Sequence, residues 1–196
     1  MATSEKTLVI GMGDTLRGDG GVGIAVIRQL CARLGDGCPF DLLELETGGI
    51  RLMEVMEGYN RAFIVDAMIT GAVPPGTIRP IALTDSIATS DTPSTCDTDL
   101  GTDVEMGRLL GLQIPETIRV WGIEAADLNA SGSLSERVRA AVPRMVEELL
   151  QATTSEQDDS ESGTGASGRS MMGDENARRA LHGSADHSGS AGMRSA

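Results

Sequence analysis

The side chains of this chain that could do chemistry are carboxylates. Asp14 and Asp19 lie in a polar loop that follows a short apolar run, and Asp66 directly follows the apolar segment 62–65. Further aspartates lie in or just after a long polar stretch: Asp97, Asp99 and Asp103. Converging carboxylates usually bind a cation or perform acid–base chemistry. These aspartates are therefore the candidate site residues, provided that the fold brings them together.

A structural role is the alternative for each of them. Aspartates in such loops commonly form turns or cap helices, and this is the expected role of Asp14, Asp97 and Asp99 taken individually. Asp66 differs because it stands between two apolar runs, where an unpaired carboxylate is costly. We therefore favour a functional role for Asp66.

Nucleophilic catalysis by a Ser-His or Cys-His pair is disfavoured, because both histidines, His182 and His187, lie in a low-complexity tail. The three cysteines show no CxxC spacing and indicate reduced thiols of a cytoplasmic protein. Cys31 is predicted to be a core residue of the first helix. Cys96, in the long polar stretch, is the cysteine for which a further role is considered.

The elements that must position these groups alternate between strands and helices. Short apolar runs predict five strands, at 8–10, 40–45, 62–65, 77–83 and 117–123. Helical spacing predicts helices from Gly21 to about Gly35, and at 50–56, 100–110 and 133–151. Pro80 predicts an edge strand, and Ser135 is the expected N-cap of the last helix. Pro143 is expected to kink that helix.

This alternation predicts an α/β fold with three layers: a mostly parallel, twisted sheet of about five strands with helices on both faces. The carboxyl ends of the first and third strands then meet at one edge of the sheet, where such folds bind ligands. We expect one domain over residues 1–152. Residues 153–196 contain mainly small and charged residues and are expected to form a disordered tail.

Composition excludes several functions. The net charge of −13 argues against nucleic-acid binding, and the apolar runs are too short to span a membrane, so a soluble cytoplasmic protein is expected. A dinucleotide site is disfavoured because Leu16 stands where the third glycine of GxGxxG belongs. Asp14 and Asp19 would also bring negative charge to a pyrophosphate.

Four segments carry a family resemblance: GMGDTLRGDGGVGIAVIRQL, LETGGIRLMEVMEGYNRAFIVDAM, PPGTIRPI and RVWGIEAADLNASGSLSERVRAAVPRMVEELL. In order and spacing, over about residues 6–151, they resemble the nickel–iron hydrogenase maturation proteases. The resemblance implies a twisted, mostly parallel sheet between helices. It also implies a cytoplasmic endopeptidase that removes a short carboxyl-terminal extension from the nickel-loaded hydrogenase large subunit.

The resemblance implies a nickel-recognising set of an acidic residue in the first loop, an Asp at the end of the third strand and a His. Asp66 matches the strand Asp. The first loop of the family reads GNxLxxDDGxG or GNxLxxDEGxG, and its second acidic position is Gly20 here, after a retained Asp19. No His is present near Thr98, where the family has one. Either nearby groups take over the missing positions, or the recognition of nickel has been lost.

The expected function is therefore peptide cleavage. Asp66 is the predicted catalytic and metal-contacting residue, and Asp19 is a supporting catalytic carboxylate. Weaker metal candidates are Asp14, Asp19, Cys96, Asp97 and Asp99. We expect no tightly bound cofactor, nickel supplied by the substrate, the large-subunit precursor as partner, and a monomer. The alternatives are a non-proteolytic chaperone or checkpoint that binds the large subunit, and a peptidase with another substrate.

Overall fold

Five strands form one sheet in the computed structural model, which describes residues 5–83, 100–128 and 132–161, with side chains to residue 155. The strands are β1 (Thr7–Met12), β2 (Asp41–Leu45), β3 (Arg61–Met68), β4 (Ile78–Ile81) and β5 (Thr117–Glu124). Their order across the sheet is β2-β1-β3-β5-β4. The four helices of the described ranges are α1 (Val22–Leu34), α2 (Ile50–Met56), α3 (Leu100–Leu109) and α4 (Glu136–Glu161).

The sheet is parallel except at one edge. Strands β2, β1, β3 and β5 pair in parallel, whereas β4 pairs antiparallel to β5. Pro80 lies opposite Trp121 in this edge strand, which confirms the prediction made from the missing backbone donor of proline. The chain passes from β1 to β2 on one side and places β3 on the other. This reversal opens a crevice at the carboxyl ends of β1 and β3.

Alternating residues of the strands face two separate parts of the core, one on each face of the sheet. Val9 packs in the cluster that contains the buried residues of α1 and α4, while Leu8 and Ile10 pack against α2 and α3. On the first face Phe63 and Trp121 stack with ring centroids 6.0 Å apart. The three-layer architecture predicted from the sequence is therefore confirmed. None of the described helices is long and apolar enough to cross a membrane.

Three details differ from the predictions. Cys31 is exposed rather than a core residue, because the buried stripe of α1 is centred on Val26 and Leu30 and Cys31 lies about 100° further round the helix. Ile50 begins α2 and is 66% exposed, whereas the other apolar positions of that helix are buried or half-buried. The last helix continues to Glu161 instead of ending near residue 151. The residues after Glu161 lie outside the described ranges, so the disordered tail stays a prediction.

Tyr59, the only tyrosine of the chain, links the end of α2 to β2. Its hydroxyl donates a hydrogen bond to Asp41 Oδ2 at 2.8 Å. Burial raises the pKa of Tyr59, and the hydrogen bond and negative charge of Asp41 raise it further. Because the unfolded chain ionises first, near pH 10.0, the stability contributed by this tyrosine is present below that pH. It is lost as the pH rises through the pKa of the folded state.

We expect Asp41→Asn to lower the pKa of Tyr59, as read from the ultraviolet absorbance of tyrosinate during an alkaline titration. The single tyrosine makes the signal unambiguous. Glu44→Gln is the matched control, since Glu44 lies on the same strand but pairs with Arg28. If the pKa of Tyr59 is equal in the Asp41→Asn variant and the wild type, the Asp41 carboxylate does not contribute to raising it.

Candidate functional site

The loop after β1 closes tightly on itself before α1 begins. Gly13 has a φ of 134°, and a Cβ atom at this position would lie 1.9 Å from the carbonyl oxygen of Gly20. Only glycine therefore fits here. The loop then forms a single helical turn, Gly18–Gly21, which contacts β3 and leads directly into α1. This arrangement brings the first loop to the crevice between β1 and β3.

Asp19 is almost completely buried in this turn, with 3% of its surface exposed. Its Oδ1 accepts a hydrogen bond from the backbone N–H of Ser135 at 2.6 Å. Its Oδ2 accepts one from the backbone N–H of Ala126 at 2.9 Å and one from the hydroxyl of Ser135 at 3.0 Å. Asp19 therefore ties the first loop to the segment after β5 and to the start of α4. We call this set of contacts the Asp19 clasp.

The Asp19 clasp also gives Ser135 two roles, one at the start of α4 and one in holding the first loop. This residue stands directly before α4, at the predicted position, and its carbonyl oxygen accepts a hydrogen bond from the backbone N–H of Arg139. Its hydroxyl donates to Asp19. The residue that opens α4 is thus bound to the loop that opens α1. Arg17 and Gly132 reinforce the junction by forming an isolated parallel bridge beside it.

Asp66 lies at the mouth of the crevice. The sequence predicts it at the end of β3, and this detail is wrong: β3 continues for two residues and ends at Met68, because Asp66, Ala67 and Met68 still pair with β5. Pairing with β1, however, ends at Val65, one residue earlier. Asp66 is therefore the first residue of β3 beyond its pairing with β1. Its exposed fraction is 9%, and its Oδ1 accepts the backbone N–H of Ala67 at 2.7 Å.

Glu124 is a third buried carboxylate at this edge, and it was not among the predicted site residues. It ends β5 and is 2% exposed. It accepts hydrogen bonds from the backbone N–H groups of Thr70 and Gly71 and from the hydroxyl of Thr70, at 2.7–2.8 Å. It therefore holds the loop that follows β3. The signal that singled out Asp66, a carboxylate directly after an apolar run, was also present here.

The remaining described aspartates of the candidate set, Asp14 and Asp103, have structural partners. Asp14 Oδ1 accepts the backbone N–H of Leu16 at 2.8 Å, and its Oδ2 lies 3.5 Å from the guanidinium of Arg17. This is the turn-forming role expected for Asp14. Asp103 Oδ2 accepts the backbone N–H of Gly49 at 2.8 Å and so links α3 to the start of α2.

The structure brings Asp19, Asp66 and Glu124 to one edge of the sheet. The other metal candidates, Cys96, Asp97 and Asp99, lie outside the described residues, as does Thr98. Within the part of the chain that the structure describes, no group of three or more His, Cys, Asp or Glu side chains could hold a metal ion.

Chemically, the edge combines one nearly buried carboxylate, where β3 separates from β1, with two carboxylates that hold loops. Asp19 and Glu124 each accept three hydrogen bonds from other segments, which leaves little capacity for further ligands. Asp66 lies where β1 and β3 separate, at the position where α/β sheets of this topology bind ligands. Its oxygens can contact a cation or a water that enters the crevice.

Solved structures share this fold. A hydrogenase maturating endopeptidase, HybD, from E. coli superimposes with a TM-score of 0.64 and 23% sequence identity, over 81% of this chain and 94% of that one. A [NiFe] hydrogenase maturation protease, HybD, from Thermococcus kodakarensis gives a TM-score of 0.55 and 22% identity, over 75% and 98% of the two chains. At these identities the likeness establishes the fold. A comparison with curated protein sequences finds no match.

The sequence also matches a family model, HycI, described as hydrogenase maturation protease, over residues 24–152. The matched segment begins inside α1, so it contains Asp66 and Glu124 but not the first loop. It covers well over half of the chain and includes four of the five strands. The chain therefore belongs to the hydrogenase maturation protease family.

Proposed function

We propose that the protein is an endopeptidase that removes the carboxyl-terminal extension of a nickel-loaded hydrogenase large subunit. The observation that carries this proposal is Asp66, a nearly buried carboxylate that stands where β3 separates from β1, within a chain of the hydrogenase maturation protease family. An oxygen-donating carboxylate suits nickel that is already held by other ligands of the precursor. The nickel is thus part of the substrate and not a resident cofactor.

In this proposal Asp66 provides a carboxylate oxygen to the nickel of the bound precursor and so positions the neighbouring peptide bond. Nickel acts as a Lewis acid that polarises the peptide carbonyl. The oxygen of a water molecule forms the new bond to the carbonyl carbon, the C–N bond breaks, and the departing nitrogen takes the proton that the water gives up. Asp19 is a positioning residue, because its oxygens accept hydrogen bonds from Ala126 and Ser135 and thereby hold the first loop in place.

The direct test is incubation of the purified protein with nickel-loaded large-subunit precursor, followed by mass spectrometry. We expect loss of the carboxyl-terminal extension. Precursor without nickel is the negative control, and an established maturation protease with its own precursor is the positive control. An unshortened precursor under conditions in which the positive control cleaves would refute the peptidase proposal.

Asp66→Asn is expected to lower the cleavage rate by about two orders of magnitude, because a neutral amide is a weaker ligand for a cation than a carboxylate. Asp36→Asn is the matched control: Asp36 lies in the exposed turn after α1 and should leave the rate unchanged. Binding of the precursor is measured in parallel. If Asp66→Asn leaves both cleavage and binding unchanged, Asp66 has no role in recognition of the substrate.

A second candidate function is a non-proteolytic chaperone or checkpoint that retains the large subunit. The observation in its favour is Gly20, which stands at the family's acidic position in the first loop without any side chain. A pull-down separates the two functions: a binding protein retains uncut precursor, whereas a protease releases a shortened product. A peptidase that acts on another substrate would leave this precursor neither cut nor bound.

A further inference from the structure

A cavity lies at the opposite edge of the sheet from Asp66. Its volume is about 820 Å³, and it is lined by residues at the amino ends of β3 and β5 and by the segments that precede them. Arg61 begins β3 and lines this cavity, five residues before Asp66 on the same strand. At the rise of a β-strand the two positions are separated by roughly 16 Å. The cavity is therefore distinct from the crevice at the carboxyl edge.

Two arginines line this cavity, Arg119 with an exposed side chain and Arg61 with a buried one, and the buried guanidinium of Arg61 is the unusual charge. Its side chain is only 6% exposed, although arginine stays protonated at any ordinary pH. Its Nε donates a hydrogen bond to Thr7 Oγ1 at 3.1 Å. Among the described residues no acceptor lies within hydrogen-bond distance of its Nη1, which is enclosed by protein. A buried charged donor of this kind strongly favours an acceptor, since without one it loses its hydrogen bonds to water and gains none in return.

The carboxylate of Glu5 is a loose partner of Arg61. Its Oε2 lies 3.6 Å from the Nε of Arg61, beyond hydrogen-bond distance, and the Glu5 side chain is 43% exposed. Because Glu5 also lines the cavity, its movement into solvent would open the Nε side of the guanidinium to a ligand. Glu5 thus occupies the place that an external carboxylate or phosphate would take.

The walls of the cavity match a ligand larger than a simple ion. Ile114 and Ile118 provide apolar surface beside Arg61, and Glu116 provides a second carboxylate. The volume falls within the range of cavities that hold small organic molecules. The charges that line the cavity balance, with Arg61 and Arg119 against Glu5 and Glu116, so a highly charged polyphosphate would meet no net positive field. A single anionic group on a small molecule fits this balance of charges.

We propose that this cavity binds an oxyanion group, a carboxylate or a single phosphate, through the guanidinium of Arg61, with displacement of Glu5. This site is independent of the proposed peptidase function. Guanidinium groups pair with carboxylates and phosphates in the same geometry, so the proposal assigns an oxyanion group. The measurement below distinguishes a carboxylate from a phosphate.

The test is calorimetric titration of the full chain with sodium phosphate and, separately, with sodium acetate, at constant ionic strength. We expect saturable binding of at least one anion with a dissociation constant on the order of millimolar. Arg61→Lys should weaken it about tenfold, because lysine lacks the planar pair of donors. Glu5→Gln should tighten it about threefold, because the competing carboxylate is removed while the residue keeps its size.

Glu54→Gln is the matched control for net charge. Glu54 is an exposed carboxylate that pairs with Arg51 and does not line the cavity. It should leave the affinity unchanged. If Arg61→Lys fails to fold, the comparison of Glu5→Gln with Glu54→Gln still tests whether the anion binds beside Glu5. The proposal is overturned if neither anion binds saturably to the wild type and Glu5→Gln, if a folded Arg61→Lys variant binds equally well, or if both glutamine variants change affinity by the same factor.

Discussion

Asp19→Ala is expected to lower the free energy of unfolding by about 3 kcal/mol, because three donors at the junction would lose their acceptor. These donors are the backbone N–H groups of Ala126 and Ser135 and the hydroxyl of Ser135. Each lost bond contributes about 1 kcal/mol to this value, the typical net contribution of one hydrogen bond to stability. Equilibrium unfolding in urea, followed by the fluorescence of the single tryptophan, measures it.

Asp14→Ala is the matched control for Asp19→Ala. It removes an aspartate from the same loop, but Asp14 has a half-exposed side chain that bonds only within the loop. Its loss should therefore cost less than about 1 kcal/mol. If the two variants lost equal stability, the Asp19 clasp would contribute no more than an ordinary turn, and its assigned role in holding the first loop would be wrong.

Gly23→Ala is expected to destabilise the protein by about 3 kcal/mol or more, or to prevent folding. Gly23 is the second residue of α1, and a Cβ atom there would lie 2.3 Å from the carbonyl oxygen of Met12 and 2.4 Å from that of Val65. Both atoms belong to backbone at the crevice between β1 and β3, so neither can move away without disturbing the sheet. Thermal unfolding of the purified variant gives the measurement.

Gly37→Ala provides the comparison for Gly23→Ala. Gly37 lies in the turn after α1, where a Cβ atom would have no neighbour within 4 Å and where φ is not in the left-handed region. The same substitution should change the stability there by less than about 0.5 kcal/mol. Comparable losses in the two variants would mean that α1 can shift away from the sheet, contrary to the close approach through Gly23.

The sheet was predictable from the sequence because its strands are local patterns. Continuous apolar runs identified the central strands, and Pro80 identified the edge strand, since each signal depends on residues within one element. The helices were also predicted, although their predicted ends and predicted buried faces were less accurate than the strands. Cys31 was misplaced because the apolar pattern of α1 is wider than the stripe that the neighbouring elements cover.

The partners of the site residues were not predictable from local patterns. Asp19 bonds to residues 107 and 116 positions further along the chain, and no periodicity near Asp19 indicates them. The extent of β3 beyond Asp66 depends on its pairing with β5, which is decided by the length of another strand. Glu124, by contrast, followed a recognisable apolar run and could have been found by the criterion that identified Asp66.

The Asp19 clasp has a consequence for the order of events during synthesis. The ribosome makes Asp19 early, yet Ser135 is added 116 residues later. Contacts between segments this far apart in sequence form slowly, because a long loop must close before they do. The first loop of a nascent chain therefore lacks its hydrogen bonds to Ser135 until the start of α4 has left the ribosome. Completion of the domain itself then determines when the loop beside Asp66 takes its final shape.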